Sequence, residues 1–101
     1  MKRLMVRYRV MADRAEENIR YIRKVFQELE ANSPPGLRYA SFHLADGVSF
    51  IHIASVETAD GSNPLTETEA FKQFQAAIRE RCEVPPQAEE LTEVGSYRVF
   101  D

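Results

Sequence analysis

The stretch "SFHLADGVSFIHIAS", residues 41–55, sets two alternating runs on either side of Asp46-Gly47. Alternation of period two marks a strand. An Asp-Gly pair between two such runs marks a hairpin, because a type I′ turn needs positive φ at both central residues. With Asp46 and Gly47 as the loop, Ala45 pairs with Val48, His43 with Phe50 and Ser41 with His52, since partner numbers in an antiparallel hairpin keep a constant sum. The two strands are expected over Leu37 to Ala45 and Val48 to Glu57.

Working outward toward the N-terminus, Arg3 to Val10 alternates Leu4, Val6, Tyr8 and Val10 with Met5, Arg7 and Arg9, a first strand. Asp13 and Glu16 form a capping box, and Ile19, Ile22, Val25, Phe26 and Leu29 follow at helical spacing. "NSPPG", residues 32–36, stops this helix, since a residue ahead of proline is pushed out of the helical region and Gly36 accepts positive φ. On the other side, Thr66 and Glu69 suggest a second capping box, and Ala70, Phe71, Phe74, Ala77, Ile78 and Cys82 form one apolar stripe. "VPPQ", residues 84–87, ends that helix, and "ELTEVGSYRVF", residues 90–100, reads as a last strand with Gly95 as a bulge. The order β-α-β-β-α-β is the ferredoxin-like split βαβ pattern, one α+β domain over residues 1–101. Right-handed crossovers place both helices on one face of a four-stranded antiparallel sheet, with the first strand beside the third.

Composition narrows the functional classes. The chain has 101 residues, 13 Lys and Arg against 16 Asp and Glu, and a formal net charge of -3. No global positive field draws in nucleic acid or an anionic membrane. Cys82 is the only cysteine, so no intramolecular disulfide framework exists and a cytoplasmic location is expected. The basic start "MKRLMVRYRV" is broken by Arg7 and Arg9 before reaching signal-peptide length, and nothing approaches the roughly 20 apolar residues of a membrane span.

The hairpin divides into two sets of side chains. Ala40, Phe42, Leu44, Ile51 and Ile53 are compact and apolar, which suits a core beneath the helices. Tyr39, His43, Phe50 and His52 would then lie on the helix-free face, joined there by Arg7 and Arg9 if Leu4, Val6, Tyr8 and Val10 face the helices. Such a face is too apolar to be left in water. A second copy of the same sheet is its simplest cover, giving a homodimer through the helix-free face.

The run "PPGLRYASFHLADGVSFIHIASVET", followed by "ETEAFKQFQAAI", resembles the small dimeric α+β barrel proteins, in particular the antibiotic biosynthesis monooxygenase-like family. The likeness spans most of the chain and rests on Pro-Gly before the second strand, the hairpin, and a helix with an F-x-x-F core. It implies a homodimer whose helix and sheet enclose a cavity. Some such proteins oxidise aromatic or quinol-like substrates with neither metal nor organic cofactor, while others degrade haem or isomerise small lactones. This chain departs from the pattern at Asn63 to Thr68, where many relatives carry a histidine. It also has no tryptophan, so the constellation of the haem-degrading relatives is missing.

His43 and His52 are the chain's only histidines, placed diagonally across the hairpin with Cα atoms roughly 7 to 8 Å apart. Their commoner role would be hydrogen bonding inside a dimer interface. As a catalytic set, His52 would be the general base, with His43 beside it and Arg7 or Arg9 stabilising an oxyanion. Tyr39, Phe50, Arg9 and Tyr97 are the candidate substrate-binding residues. No metal site is expected, because no third ligand is obliged to join the two imidazoles, and the resemblance implies no cofactor. The expectation is therefore a cofactor-independent monooxygenase for a small aromatic, quinol or enolisable substrate. The alternative is a non-enzymatic ligand-binding or accessory dimer of the same fold. An RNA-binding module is a distant third, since residues 46–53 keep Gly47, Ser49, Phe50 and Ile51 of the RNA-recognition pattern but lose its cation and two aromatics.

Overall fold

A computed structural model describes residues 1–99. Strands β1 (Lys2–Val10), β2 (Leu37–His43), β3 (Ser49–Val56) and β4 (Cys82–Leu91) form one antiparallel sheet in the order β2-β3-β1-β4, so the first strand does lie beside the third. Helices α1 (Ala15–Asn32) and α2 (Glu69–Arg81) pack on one face, with 3-10 turns at Ala12–Arg14 and Pro64–Glu67. This is the expected ferredoxin-like α+β architecture. Among the described residues no helix is long and apolar enough to cross a membrane.

The hairpin register is the expected one, with His43 opposite Phe50 and Ser41 opposite His52. The turn differs. Only Gly47 takes positive φ, at 81°, and its N–H donates to the Leu44 carbonyl over 3.0 Å. The Asp46 carboxylate instead accepts from the Val48 and Ser49 N–H groups at 2.9 and 2.8 Å, which supports a wider loop without forcing Asp46 left-handed. The Ser49 hydroxyl, followed by those two amide bonds, holds the Asp46 pKa down to about 2.

The face assignment is reversed. Val6 lies opposite His52 and Tyr8 opposite Phe50, so the histidine-bearing set of β3 shares its face with Tyr8 and Val10. Tyr8, Val10 and Phe50 are buried against Ile22 and Val25 of α1 and Phe74 and Ile78 of α2. Arg7 and Met5 lie opposite Ile51 and Ile53 on the helix-free face, together with Ala40 and Phe42. Either hairpin set is apolar enough for a core. Helix aromatics decide between them, because Phe26 stacks on Tyr39 at 5.2 Å between centroids and Phe74 meets His52 at 5.5 Å.

The last strand also lies elsewhere than expected. β4 begins directly at Cys82 and runs through Pro85 and Pro86 to Leu91, while 92–99 is irregular and Phe100 falls outside the described residues. Two prolines are tolerated because β4 is an edge strand, paired to β1 alone. Its register slips between Arg9–Val84 and Arg7–Gln87, so the bulge sits at the prolines and not at Gly95.

Helix ends are held by other groups than the capping boxes. At α1 the N-cap is Arg14, which has no side-chain cap and instead ion-pairs with Glu17 at 2.9 Å. At α2 the Thr68 hydroxyl accepts from the Phe71 N–H, and Glu28 of α1 reaches across to accept from the Glu69 and Ala70 N–H groups at 3.1 and 2.9 Å. A carboxylate from a neighbouring helix thus satisfies two of the four amides that every helix start leaves open.

Candidate active site

Between sheet and helices lies a cavity of about 230 Å³. Tyr8, Tyr39 and His52 supply its polar sheet side, Phe71, Phe74 and Ile78 of α2 its apolar wall, and Asn63, Leu65 and Thr66 close one side from the 3-10 turn region. Strand alternation carries Tyr8 and His52 onto this face, and helical spacing brings the α2 residues over them.

His52 is only 5% exposed, and both of its ring nitrogens are engaged. Nε2 lies 2.7 Å from the Tyr8 hydroxyl, while Nδ1 lies 2.5 Å from the Tyr39 hydroxyl and 3.0 Å from Ser41 Oγ. The Tyr8 oxygen also accepts from Asn18 Nδ2 at 2.8 Å, and Asn18 Oδ1 accepts from Arg81 Nε at 3.1 Å. Arg81 is fully buried, with its guanidinium 4.3 Å from the centre of the Tyr21 ring and 5.3 Å from that of Phe74. Its Nη2 donates to the Phe74 carbonyl, and Nη1 has no hydrogen-bond partner among the described residues.

Burial sets the electrostatics. It lowers the His52 pKa to about 4, so the imidazole is neutral at physiological pH. It raises Tyr39 to about 12 against the opposing effect of Ser41, and raises Tyr8 further still against its bond from Asn18. Burial likewise works against the Arg81 charge. The cavity therefore offers neutral hydroxyls and an imidazole, backed by one desolvated cation at the end of α2. Among the described residues no three His, Cys, Asp or Glu side chains come together as a metal-binding group.

Of the candidates read from the sequence, His52 and Tyr39 meet at the cavity. Phe50 is buried beside it, stacked on Tyr8 at 5.5 Å. His43 stays outside, stacked on Phe50 at 4.6 Å and bonded through Nε2 to the Gly47 carbonyl. Arg7 projects from the opposite face, Arg9 is exposed near Glu83 at 3.7 Å, and Tyr97 is 82% exposed in the terminal segment. Arg7 and Arg9 do not join His52, because the hairpin face they were grouped with is the one the helices cover; His43 shares that covered face but lies beyond Phe50 at the exposed end of the hairpin, and Tyr97 falls in the irregular segment after β4. Cys82 sits half-buried at the end of α2, its thiol pKa raised by burial.

Sequence reasoning passed over Tyr8, Asn18, Asn63 and Arg81. A signal existed for two of them. Asn18 occupies the stripe of Ile22, Val25 and Leu29, and Arg81 continues that of Phe74 and Ile78, so each puts a polar group where helical periodicity demands an apolar one.

No family model matches the sequence, and no curated protein matches it. Solved structures do. A Nitrosomonas europaea protein assigned to the antibiotic biosynthesis monooxygenases is 16% identical, with 92% of this chain and 89% of that one covered at a TM-score of 0.75. A Caulobacter crescentus protein assigned likewise is 21% identical over 93% and 90% of the two chains, TM-score 0.72. A variant of SnoaB, a cofactor-independent oxygenase from Streptomyces nogalater, is 15% identical over 97% of each, TM-score 0.71. At such identities the likeness is one of fold, and the chain folds as the antibiotic biosynthesis monooxygenases do.

Proposed function

We propose that this protein is a cytoplasmic, cofactor-independent oxygenase that binds a one- or two-ring phenol, quinol or enolisable ketone beneath its helices. The observation that carries this reading is the neutral, buried His52 joined to the Tyr8 and Tyr39 hydroxyls at the sheet side of an otherwise apolar cavity. Drug-sized ligands occupy pockets of about 300–1,000 Å³. At about 230 Å³ this one suits something smaller. An apolar wall takes the ring, and the hydroxyl cluster takes the oxygen that ionises. With both nitrogens already bonded and a pKa near 4, His52 acts as the hub of an oxyanion site, in place of the free base that spacing alone suggested.

An electron-rich anion held there can react with dioxygen directly. When a ring CH2 becomes C=O, one oxygen atom enters the substrate and the other leaves as water with both hydrogens, the carbon supplying all four electrons. No external reductant is required. The fold shared with a cofactor-independent oxygenase supports the same reading. Oxygen uptake with a panel of naphthols, hydroquinones and tetralones tests it: turnover by the wild type, lost in His52→Ala and kept in the exposed control Lys72→Ala, is expected. A flat trace across the panel would sink it.

The engagement of both His52 nitrogens by protein hydroxyls favours a second reading, a ligand-binding protein without turnover. Saturable binding of the same compounds with no oxygen consumption would select it. In either case the half-buried Met5, Ala40, Ile51 and Ile53 of the helix-free face support a homodimer closed through that face. A sedimentation coefficient of a single protomer at micromolar concentration would refute the dimer.

A further inference from the structure

Arg81, like Asn18, is fully buried, and among the described residues no carboxylate bonds to it. A guanidinium has five N–H donors and no acceptor. Asn18 must therefore present its oxygen to Arg81, at 3.1 Å, and its amide N–H to the Tyr8 oxygen, at 2.8 Å. Having accepted there, the 2%-exposed Tyr8 hydroxyl places its own proton on the remaining neighbour, His52 Nε2, 2.7 Å away. A neutral imidazole that accepts at Nε2 carries its proton on Nδ1. That N–H points at Tyr39, 2.5 Å away, with Ser41 Oγ at 3.0 Å from the same nitrogen. The Tyr39 oxygen is thus an acceptor toward His52, and its own proton is left to turn into the cavity it lines, with Ser41 as the neighbouring protein group that competes for it when no ligand is bound. Its ring is held in place between Phe26 at 5.2 Å and the edge of Phe71 at 6.5 Å.

We propose that Arg81 and Asn18 are positioning residues that fix the direction of this hydrogen-bond chain, making the Tyr39 hydroxyl a donor aimed at an acceptor oxygen of the ligand, a phenolate or a carbonyl. The proposal deepens the cavity-ligand reading above and rests on it for the ligand, while the direction of the chain stands without it. Asn18 and Arg81 touch no substrate in this scheme. They act through Tyr8 and His52, and the chain would run either way without a cationic end that can only donate.

The ring nitrogens of His52 report the direction. In protein labelled with nitrogen-15, the His43→Gln variant leaves His52 as the single imidazole, since the chain holds two histidines. A protonated Nδ1 and an unprotonated Nε2 are expected. Asn18→Leu and Arg81→Met should move both nitrogen shifts toward each other as the tautomers mix, whereas Arg81→Lys, which also only donates, should restore the original pair. Should Asn18→Leu fail to fold, Tyr8→Phe makes the same break further along. For the ligand, 4-nitrophenol is the probe, because its absorbance reads its ionisation. Binding should raise its acid dissociation constant about tenfold, the effect of one charge-assisted hydrogen bond, and Tyr39→Phe should abolish that change. A proton on Nε2 in the otherwise native protein, or an unaltered tautomer in folded Asn18→Leu, overturns the directed chain. Equal ionisation of the probe with wild type and Tyr39→Phe, absent binding included, overturns the ligand assignment. None of these readouts involves turnover, so a failure of oxygen uptake alone would count against the oxygenase reading and leave this one standing.

Discussion

Acid should destabilise this protein through His52 before it acts through most of the surface carboxylates. Burial lowers the imidazole pKa from its ordinary 6.5 to about 4, and at 5% exposure there is little solvent to screen the effect. The ring is ringed by neutral hydroxyls of Tyr8, Tyr39 and Ser41, with the Arg81 cation behind them, so nothing in contact rewards a positive charge. Between pH 6.5 and 4 the unfolded chain holds a proton at this site that the folded chain refuses. Stability therefore rises with pH across that window, and the contribution is lost as pH falls toward 4. A pKa change of this size is worth about 3 kcal/mol, a large part of the roughly 5–15 kcal/mol that holds a domain folded. Carboxylates titrate in the lower half of the same range, so the measurement must be a difference. Urea unfolding of wild type and of His52→Gln, at several pH values from 7 to 4, isolates the imidazole, since His43 and every carboxylate are common to both. The stability advantage of wild type over the variant should shrink by about 3 kcal/mol on going from pH 7 to pH 4. A difference that stays constant across the window would refute a neutral, buried His52.

Other perturbations test the scaffold around the site. A Cβ at Gly36 would come within 2.7 Å of Thr58 Cγ2 and 3.1 Å of the Thr58 nitrogen, at a φ of 80°. Gly36→Ala should therefore lower the urea-derived stability by about 1–2 kcal/mol or more. Glu28→Ala removes the acceptor of the Glu69 and Ala70 N–H groups. It should cost about 1 kcal/mol, with faster hydrogen exchange at those two amides than elsewhere in α2. Phe74, 6% exposed, touches the rings of Tyr8, His52 and Phe71. Phe74→Ala should lower stability by about 3–5 kcal/mol and loosen binding of any ring-bearing ligand, measured by thermal unfolding and by titration of 4-nitrophenol.

Parts of the site were within reach of the linear sequence and parts were not. Spacing alone brought Ser41 opposite His52 and put Tyr39 on the same face, which is half of the hydrogen-bonding cluster. The partners expected for His52 on an open face do not meet it, because the hairpin's own alternation carries no register with the first strand. Nothing local supplies that register: Tyr8 opposite Phe50 is a contact across more than forty residues, decided by how both strands pack under Phe74 and Ile78. Asn18 and Arg81 stood out as polar interruptions of two apolar stripes, yet only their meeting through Tyr8 gives them a purpose.

By itself the sequence determined the element order, the hairpin pairing and the helical stripes, because each is set by side-chain periodicity over a few neighbouring residues. Tertiary structure alone decided which hairpin face went inside, since both faces are apolar and the choice rests on long-range aromatic packing. It also decided that a proline pair could lie in a strand, because an edge position leaves one side of the backbone without a partner to satisfy. The buried polar chain from Arg81 to Tyr39 follows from those two decisions. Its members come from α2, α1, β1, β3 and β2, and no reading of one segment at a time can join five elements at a single hydrogen-bonded line.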